Sequence, residues 1–374
     1  MRRELADKLL AKVLEWEPED VSKNLANIEM LSRLKYDEYQ QFFPGMRFTE
    51  SLAIWLNQFR TVEERKKMLE LVLNKLIYIS NKEMNELVSQ VYPDNLRHHL
   101  IDVVANQLGK SKYSINQIVN TNDFRFNLRK TLFLGLSDGA RTDVIRRYNP
   151  FISHEQLLPF YLVPDEKIEE LLKELKLDLD KIDSKLFQND DNKFHNLVLL
   201  DDFTASGTSY FKFDGSKFRG KVNKILNKIS GKDKFRNLFN LDKLNIFLII
   251  YISTSHAINV INDAIKSWEE ENGKIYNRIN FQAVYELPKD IKIVAGDTQT
   301  CEVLKEYYDS SIETNSYKKG KHDHPYLGFD ECGLPLILHH NTPNNSLPIL
   351  WNERSTDGSG GFVGLFPRVS RHKT

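Results

Sequence analysis

The stretch NLVLLDDFTASGTS, residues 196–209, brings an apolar run, two adjacent acids and a loop of small residues into direct succession. Leu197 to Leu200 are apolar, Asp201 and Asp202 follow, and glycine and hydroxyl-bearing residues come next. A short apolar run of this kind is typical of a strand that is buried on both faces of a parallel sheet. Because ligands of such sheets bind at the carboxyl ends of the strands, we predict a binding site at the two acids.

The chain on either side of this stretch alternates between apolar runs and amphipathic segments. The other apolar runs are TLFLGL (131–136), NIFLIIYI (245–252) and FQAVYEL (281–287). The helical patterns between and after them cover residues 167–175, 218–229 and 257–271. This alternation predicts an α/β fold with a mostly parallel sheet and flanking helices.

The first part of the chain has a different character and predicts helices only. Leu5, Leu9 and Val13 recur at helical spacing, and Thr61 with Glu64 forms a capping-box pattern before another amphipathic segment. We therefore expect an all-α region over residues 1–110 and an α/β domain over residues 111–374. A packed helical bundle is the favoured interpretation of the first region, and a lid or a surface for a partner protein is the alternative.

Composition limits the class of protein and its partners. The 374 residues contain 52 Lys+Arg and 52 Asp+Glu, so no overall charge attracts nucleic acid or anionic membrane. The longest apolar run, residues 246–252, is too short to cross a bilayer, and the N-terminal segment lacks the apolar core of a signal peptide. With only two cysteines, the chain is expected to be cytoplasmic. Its oligomeric state is not predicted.

The loop after the paired acids has the composition of an anion site. Small residues let the backbone approach a ligand closely, and their amides and hydroxyls near a helix N-terminus suit a phosphate. Carboxylates accept hydrogen bonds from neighbouring sugar hydroxyls, so the physical interpretation is a site for ribose 5-phosphate. Neither a P-loop nor a GxGxxG fingerprint is present. The alternative is a turn that is merely rich in helix-capping residues.

The same stretch resembles the phosphoribosyl pyrophosphate (PRPP) signature of type I phosphoribosyltransferases. The resemblance implies that Asp201 and Asp202 hold the ribose hydroxyls. It also implies that PRPP or a nucleotide binds together with Mg²⁺, for which no protein ligand is assigned. The implied 5-phosphate loop consists of Thr204, Ala205, Ser206, Gly207, Thr208 and Ser209.

An earlier segment, TLFLGLSDGARTDVIRR (131–147), fits a second element of that family. Type I enzymes carry a pyrophosphate loop after an earlier strand, which would correspond here to Ser137, Asp138, Gly139 and Arg141. Arg141 would supply positive charge to a diphosphate. The alternative is a plain strand-to-helix turn.

The C-terminal segments YLGFDECGLPLILHHNTPNNSLPILW (326–351) and GLFPR (364–368) narrow the resemblance. Together with the signature and the helical first region, they resemble the phosphoribosyltransferase-like PRTase-CE proteins of bacterial conflict systems. That resemblance implies defence against phage, together with an operon-encoded partner protein. If LPLIL is a sheet strand, His340, Asn341 and Asn344 lie close to the strand ends, and the resemblance implies that they form a wall of the site; ordinary turn residues are the alternative.

Three activities remain open. The protein transfers a phosphoribosyl group, cleaves a ribose-5-phosphate glycosidic linkage with water, or binds PRPP or a nucleotide without turnover and thereby controls a partner. No catalytic residue is assigned. The pair His322 and His324 favours a solvated loop over a metal site, since no further ligand stands at a recognisable spacing.

Overall fold

The computed structural model describes residues 3–159, 163–188, 191–314, 317–321, 323–352 and 362–368. The helices are α1 Arg3–Val13, α2 Pro18–Leu34, α3 Phe48–Leu56, α4 Val62–Asn74, α5 Asn81–Ser89, α6 Arg97–Leu108, α7 Ile115–Val119, α8 Asn122–Arg129, α9 Thr142–Tyr148, α10 Asp165–Ile182, α11 Ser184–Gln188, α12 Lys221–Ser230, α13 Ser255–Asn272, α14 Thr298–Glu306 and α15 Pro348–Trp351. The strands are β1 Ile77–Ile79, β2 Thr131–Gly135, β3 Leu157–Leu158, β4 Asn196–Thr204, β5 Lys212–Phe213, β6 Phe218–Arg219, β7 Asn245–Thr254, β8 Arg278–Leu287 and β9 Leu336–Leu338.

Five strands form one sheet in the order β3-β2-β4-β7-β8, and every neighbouring pair is parallel. Strand β4, which carries the paired acids, lies in the middle, with β2 on one side and β7 on the other. The four apolar runs predicted as strands correspond to β2, β4, β7 and β8. The predicted α/β fold with a mostly parallel sheet is therefore confirmed.

The sheet is buried because its central strands are apolar on both faces. Every residue of β2 and β7 is buried, and so are Leu197 to Leu200 of β4. Leu171 of α10, Ile225 of α12 and Trp268 of α13 belong to the same hydrophobic core. Burying a Leu or Ile side chain contributes on the order of 2 kcal/mol, so these contacts fix the positions of the strand ends.

The chain forms two compact units. One unit consists of Asn85–Pro288 and contains the five-stranded sheet; the other combines Met1–Met84 with Lys289–Thr374. The boundary expected from the sequence was at residue 110, whereas the sheet unit begins at Asn85. Helix α6, which precedes residue 110, belongs to the sheet unit because it packs on α8, and α8 packs on α10. In the other unit, the predicted capping box is confirmed: Thr61 Oγ1 accepts from the Glu64 amide at 3.2 Å, and the Glu64 carboxylate accepts from the Thr61 amide at 2.9 Å.

Residues 336–338 of LPLIL form a sheet strand, as the sequence predicts, but this strand is not part of the five-stranded sheet. They form β9, which pairs in parallel with β1 in the unit that combines both terminal segments. The two strands form a two-stranded sheet of their own. His340, Asn341 and Asn344 therefore follow β9 and do not follow a strand of the five-stranded sheet.

A short hairpin was also missed. Residues 212–213 and 218–219 form the antiparallel strands β5 and β6, and helix α12 starts only at Lys221. The helical pattern expected from Phe218 therefore begins three residues early. Asp214 accounts for the turn, because its carboxylate accepts hydrogen bonds from the Ser216 and Lys217 amides and thereby favours the reversal. Among the helices described, none combines the length and apolar character needed to cross a membrane.

Candidate functional site

The paired acids lie near the carboxyl end of β4, the middle strand of the parallel sheet. Asp201 is in register with Ile250 of β7. The loop that follows β2 lies alongside, because the amide of Leu136 donates to the carbonyl of Leu200 at 2.8 Å. This edge of the sheet therefore brings the segment after β2 next to the segment after β4, as the sequence predicts for the two loops.

Asp201 is enclosed by side chains of the protein itself. It is only 1% exposed. Its Oδ1 accepts a hydrogen bond from the Ser137 hydroxyl, and its Oδ2 accepts from the Tyr210 hydroxyl at 2.8 Å and from Lys221 Nζ at 2.6 Å. Burial and the adjacent Asp202 raise the pKa of Asp201, and Lys221 and Ser137 counteract part of that effect.

Asp202 differs from its neighbour because it is only half-buried. Its Oδ1 accepts a hydrogen bond from the amide of Phe203 at 2.8 Å. The backbone of Gly139 lies against its other oxygen, in a position where any side chain at residue 139 would overlap the carboxylate. The loop after β2 therefore meets both acids of β4: Ser137 contacts Asp201, and Gly139 lies against Asp202.

The predicted 5-phosphate loop is largely fixed by its own hydrogen bonds. The Gly207 amide donates to Thr204 Oγ1 at 3.2 Å, and the hydroxyls of Ser206 and Thr208 are 2.9 Å apart. The Ala205 carbonyl accepts from Thr254 Oγ1 at 2.6 Å. In contrast, no described residue accepts a hydrogen bond from the backbone amides of Ser206, Thr208 and Ser209. Several amide donors in one turn are a suitable environment for an anion.

Gly207 lies where the protein itself opposes a side chain. Its φ is +76°, a conformation that residues with a side chain rarely adopt. A Cβ atom would lie 3.0 Å from the carbonyl oxygen of Ala257 and 3.2 Å from Val260 and Ile261. The side of the glycine that lacks a side chain therefore faces helix α13, and close approach of its backbone to a phosphate stays a prediction.

The predicted pyrophosphate loop is held by the sheet beneath it. The Ser137 hydroxyl accepts from the Gly139 amide at 3.2 Å, and the Tyr251 hydroxyl of β7 donates to the Ala140 carbonyl. Arg141 has a φ of +46° and donates from Nη1 to Asn85 Oδ1 at 2.9 Å. Asp138 is exposed. A non-glycine residue in the left-handed region costs about 1 kcal/mol, so the surrounding contacts must hold Arg141 in place.

The three residues expected to form a site wall lie in the other unit. His340, Asn341 and Asn344 follow β9. The Asn341 amide donates to the Leu338 carbonyl at 3.0 Å, and the Asn344 carbonyl accepts from the Phe329 amide at 2.8 Å. These contacts are those of turn residues, and a role of the three side chains in ligand binding stays a prediction.

Three side chains of this site were not predicted from the sequence. Lys221 and Tyr210 bind Asp201, and the Lys221 ammonium also lies 5.1 Å from the centre of the Tyr210 ring. Tyr251 is buried beneath the loop after β2. Burial and the charges of Asp201 and Asp202 raise the pKa of both tyrosines well above the usual value, so neither phenol ionises at neutral pH. No motif marks these residues, although Tyr210 directly follows the predicted loop.

The carboxylates at this edge of the sheet fit a Mg²⁺ site that takes one or two ligands from the protein. Magnesium with a phosphorylated substrate is usually held by one or two carboxylates, substrate oxygens and water. Asp138 and Asp202 are the acids of the two loops that are not enclosed. Within the part of the chain that the structure describes, no group of three or more His, Cys, Asp or Glu side chains has a metal-binding arrangement. His322, one member of the histidine pair considered above, lies outside that part.

A cavity of about 390 Å³ opens at the opposite, amino edge of the same sheet. Its lining includes Asn196, Asn245 and Asn277, which are joined in a row by side-chain hydrogen bonds of 3.2 and 2.9 Å. These carboxamides satisfy one another at the starts of adjacent strands, which is a structural role. The carboxyl edge is therefore the better candidate for function, because it combines the paired acids with unsatisfied amide donors.

Comparison with known protein families identifies the family of the chain. The family model PRTase-CE matches residues 52–368, which include both loops and the paired acids. Neither the curated proteins nor the solved structures gave a match. Since the family match covers well over half of the sequence, the chain belongs to the PRTase-CE family and is a phosphoribosyltransferase-like protein.

Proposed function

We propose that the carboxyl edge of the sheet binds PRPP or a nucleotide and transfers or cleaves its ribose-5-phosphate glycosidic linkage. The observation that carries the proposal is the position of Asp202 beside a turn whose Ser206, Thr208 and Ser209 amides have no acceptor among the described residues. In this arrangement, a carboxylate accepts hydrogen bonds from ribose hydroxyls while backbone amides surround the 5-phosphate.

The loop after β2 supports the diphosphate end of such a ligand. Arg141 follows Ala140 in the segment that Tyr251 ties to the sheet, and its guanidinium supplies fixed positive charge. Bound Mg²⁺ would neutralise charge on the diphosphate oxygens, with Asp138 and Asp202 as the available protein ligands. In this proposal, the reacting ribose carbon lies between the loop that carries Arg141 and the ribose-binding carboxylate of Asp202. The charges of Arg141 and Mg²⁺ favour departure of a diphosphate.

The proposed biological role is defence of bacteria against phage or other invading elements. It rests on the resemblance to conflict-system proteins. We propose that the protein acts in the cytoplasm with a partner encoded in the same operon. A plaque assay compares cells that carry the intact operon with cells whose operon encodes Asp202→Asn. Loss of protection is expected, and equal protection by both operons would separate the ligand site from defence.

A second candidate function is sensing of PRPP or a nucleotide without turnover. It is favoured by the state of Asp201, whose carboxylate is fully engaged by Ser137, Tyr210 and Lys221 and does not serve as a proton acceptor. In that case, ligand binding would alter the two loops and thereby the partner protein.

Product analysis on the full chain separates these functions. The protein is incubated with PRPP and Mg²⁺ and, separately, with a panel of nucleoside monophosphates, and products are resolved by chromatography. Pyrophosphate release with a base present indicates transfer, free base from a nucleotide indicates hydrolysis, and calorimetric binding without products indicates sensing. Asp202→Asn should abolish whichever result is found, whereas Asp143→Asn, which changes an exposed acid of α9, should not. Absence of PRPP and nucleotide binding at millimolar concentration would contradict all three.

A further inference from the structure

The two acids of the pair occupy unlike environments, which is unexpected if they share one role. Asp201 is 1% exposed, and three donors already occupy its two oxygens. Asp202, one residue further on, is half-buried at the same edge of the sheet. A ribose hydroxyl could reach Asp201 only by displacing a buried hydrogen bond, and an unsatisfied buried donor costs about 1–3 kcal/mol.

The three donors to Asp201 come from three different segments. Ser137 follows β2, Tyr210 directly follows the 5-phosphate loop, and Lys221 is the first residue of α12. The carboxylate therefore ties together both ligand loops and the start of the next helix. Removal of this single side chain would release all three attachments at once.

Asp201 also closes the base of the hairpin formed by β5 and β6. The hairpin lies between Tyr210 and Lys221, the two residues that share Asp201 Oδ2. Two backbone hydrogen bonds lie at the same place: the Lys221 amide donates to the Ser209 carbonyl at 3.1 Å, and the Val222 amide donates to the Tyr210 carbonyl at 2.9 Å. The hairpin is thus fixed relative to the 5-phosphate loop at both of its ends.

Charge balance supports the same division between the acids. The Lys221 ammonium is 2.6 Å from Asp201, and its side chain is 25% exposed. An ion pair this close leaves Asp201 and Lys221 together without net charge. The charge of the Asp201 carboxylate is therefore already compensated inside the protein, and Asp202 supplies the acceptor for an incoming ligand.

We propose that Asp201 is a positioning residue that fixes the two ligand loops and the hairpin, and that Asp202 is the acid of the pair that contacts the ribose hydroxyls. The ligand part of this inference rests on the proposed function. It departs from the expectation that both acids hold the ribose, and it assigns Lys221 and Tyr210 to the same positioning network.

A comparison of two ligands in three proteins tests the division. Dissociation constants for ribose 5-phosphate and 2-deoxyribose 5-phosphate are measured for the wild type, Asp201→Asn and Asp202→Asn. Loss of a hydroxyl that binds a carboxylate should weaken wild-type binding about tenfold or more. The ratio of the two constants should fall toward one in Asp202→Asn. In Asp201→Asn, both ligands should weaken by a similar factor, so that the ratio is preserved.

Two conservative variants extend the test to the donors. Lys221→Met and Tyr210→Phe each remove one hydrogen bond to Asp201 and leave Asp202 unchanged. Each should weaken both ligands and preserve the ratio, as Asp201→Asn does. The proposal would be overturned if the ratio of the two dissociation constants fell to one in Asp201→Asn and stayed at the wild-type value in Asp202→Asn. It would also be overturned if the ratio fell to one in both variants.

Hydrogen exchange in the absence of ligand keeps the positioning role testable if neither sugar phosphate binds the wild type. That result would contradict the proposed function by itself. The positioning role then predicts that Asp201→Asn accelerates amide exchange in residues 137–141 and 210–222, and that Asp202→Asn leaves it unchanged. Equal exchange in wild type and Asp201→Asn would show that Asp201 does not hold these segments, and the inference would be wrong.

Discussion

Gly139 lies so close to Asp202 that a methyl group at residue 139 would overlap the Asp202 carboxylate. The contact joins the loop after β2 to the end of β4, so the position of the more exposed acid depends on a residue without a side chain. A shift of either loop would move Asp202 relative to the amides of residues 206–209. The geometry of the proposed ribose site is therefore sensitive to the smallest possible addition at residue 139.

The first prediction concerns this contact. Gly139→Ala should weaken binding of ribose 5-phosphate at least tenfold, because relief of the overlap displaces Asp202 or the loop; overpacking of this kind costs about 1–3 kcal/mol. Calorimetry measures the affinity, and circular dichroism checks the fold. Gly296→Ala is the matched control, since a Cβ there has open space around it. Unchanged affinity in Gly139→Ala would mean that Asp202 adapts without loss.

The second prediction separates two causes at Gly207. Gly207→Ala should lower the free energy of unfolding by about 2 kcal/mol or more, because the left-handed backbone and contact with helix α13 both oppose a side chain. Gly109 also has a left-handed backbone, with a φ of +59° and a ψ of +31°, but a Cβ atom there would have nothing within 4 Å. Urea unfolding of Gly109→Ala should therefore show only the smaller backbone cost of about 1 kcal/mol. Equal losses in the two variants would show that packing against α13 contributes nothing.

The third prediction concerns the support beneath the loop after β2. Tyr251→Phe removes the donor to the Ala140 carbonyl at a fully buried position, and it should cost about 1–3 kcal/mol of unfolding free energy. Binding of PRPP with Mg²⁺ should weaken as well, because Arg141 follows Ala140 directly. Tyr285→Phe alters a tyrosine of β8 that is 42% exposed and serves as the control. If both variants behave alike, the hydroxyl of Tyr251 does not position the loop.

The fourth prediction concerns pH and the opposite edge of the sheet. Lys130 has a side chain only 1% exposed, and its Nζ is 2.8 Å from Asp191. Burial alone would raise the pKa of Asp191, but hydrogen bonds from Lys130, Asn240 and His195 lower it below its usual value of 3.8. Because the folded state then binds fewer protons, Asp191 stabilises the protein above about pH 4, and this contribution is lost as the pH falls.

Urea unfolding between about pH 3 and pH 7 tests that sign. The wild type should lose stability steeply at the acid end, and Asp191→Asn should show a shallower dependence. At neutral pH, Asp191→Asn should be less stable by about 3 kcal/mol, because Lys130 remains buried without its partner. Asp143→Asn, which removes an exposed ion pair, should change stability by less than about 1 kcal/mol. Parallel curves for the wild type and Asp191→Asn would contradict the assignment.

The fold and the position of the paired acids near a strand end could be predicted because their determinants are local in sequence. Leu197 to Leu200 identify a buried strand through their own hydrophobicity, and the adjacent Asp201 and Asp202 mark its carboxyl end. The capping box at Thr61 involves residues three positions apart. In each case, the interacting residues are so close in the chain that a short sequence motif includes all of them.

Contacts between distant segments could not be predicted in this way. Lys221 contacts Asp201 only because the hairpin of β5 and β6 brings the chain back to the predicted phosphate loop. No hydrophobic periodicity in the sequence indicates this contact. The same holds for β9, whose apolar run suits a strand in any sheet; its partner β1 precedes the five-stranded sheet in the sequence. The environments of Asp201 and Asp202 differ because of such contacts. The sequence shows two identical side chains and not these contacts, so the two acids were expected to share one role.

The pairing of β1 with β9 sets an order of events during synthesis. The unit that combines Met1–Met84 with Lys289–Thr374 has a hydrophobic core made of residues from both segments. In this core, Trp55 Nε1 donates to the Ile349 carbonyl at 3.0 Å. A ribosome that adds residues in sequence completes Asn85–Pro288 before it makes β9. We expect the sheet unit to fold first, while the apolar faces of the N-terminal helices are still exposed to solvent. Exposed apolar surface of this kind is what chaperones bind.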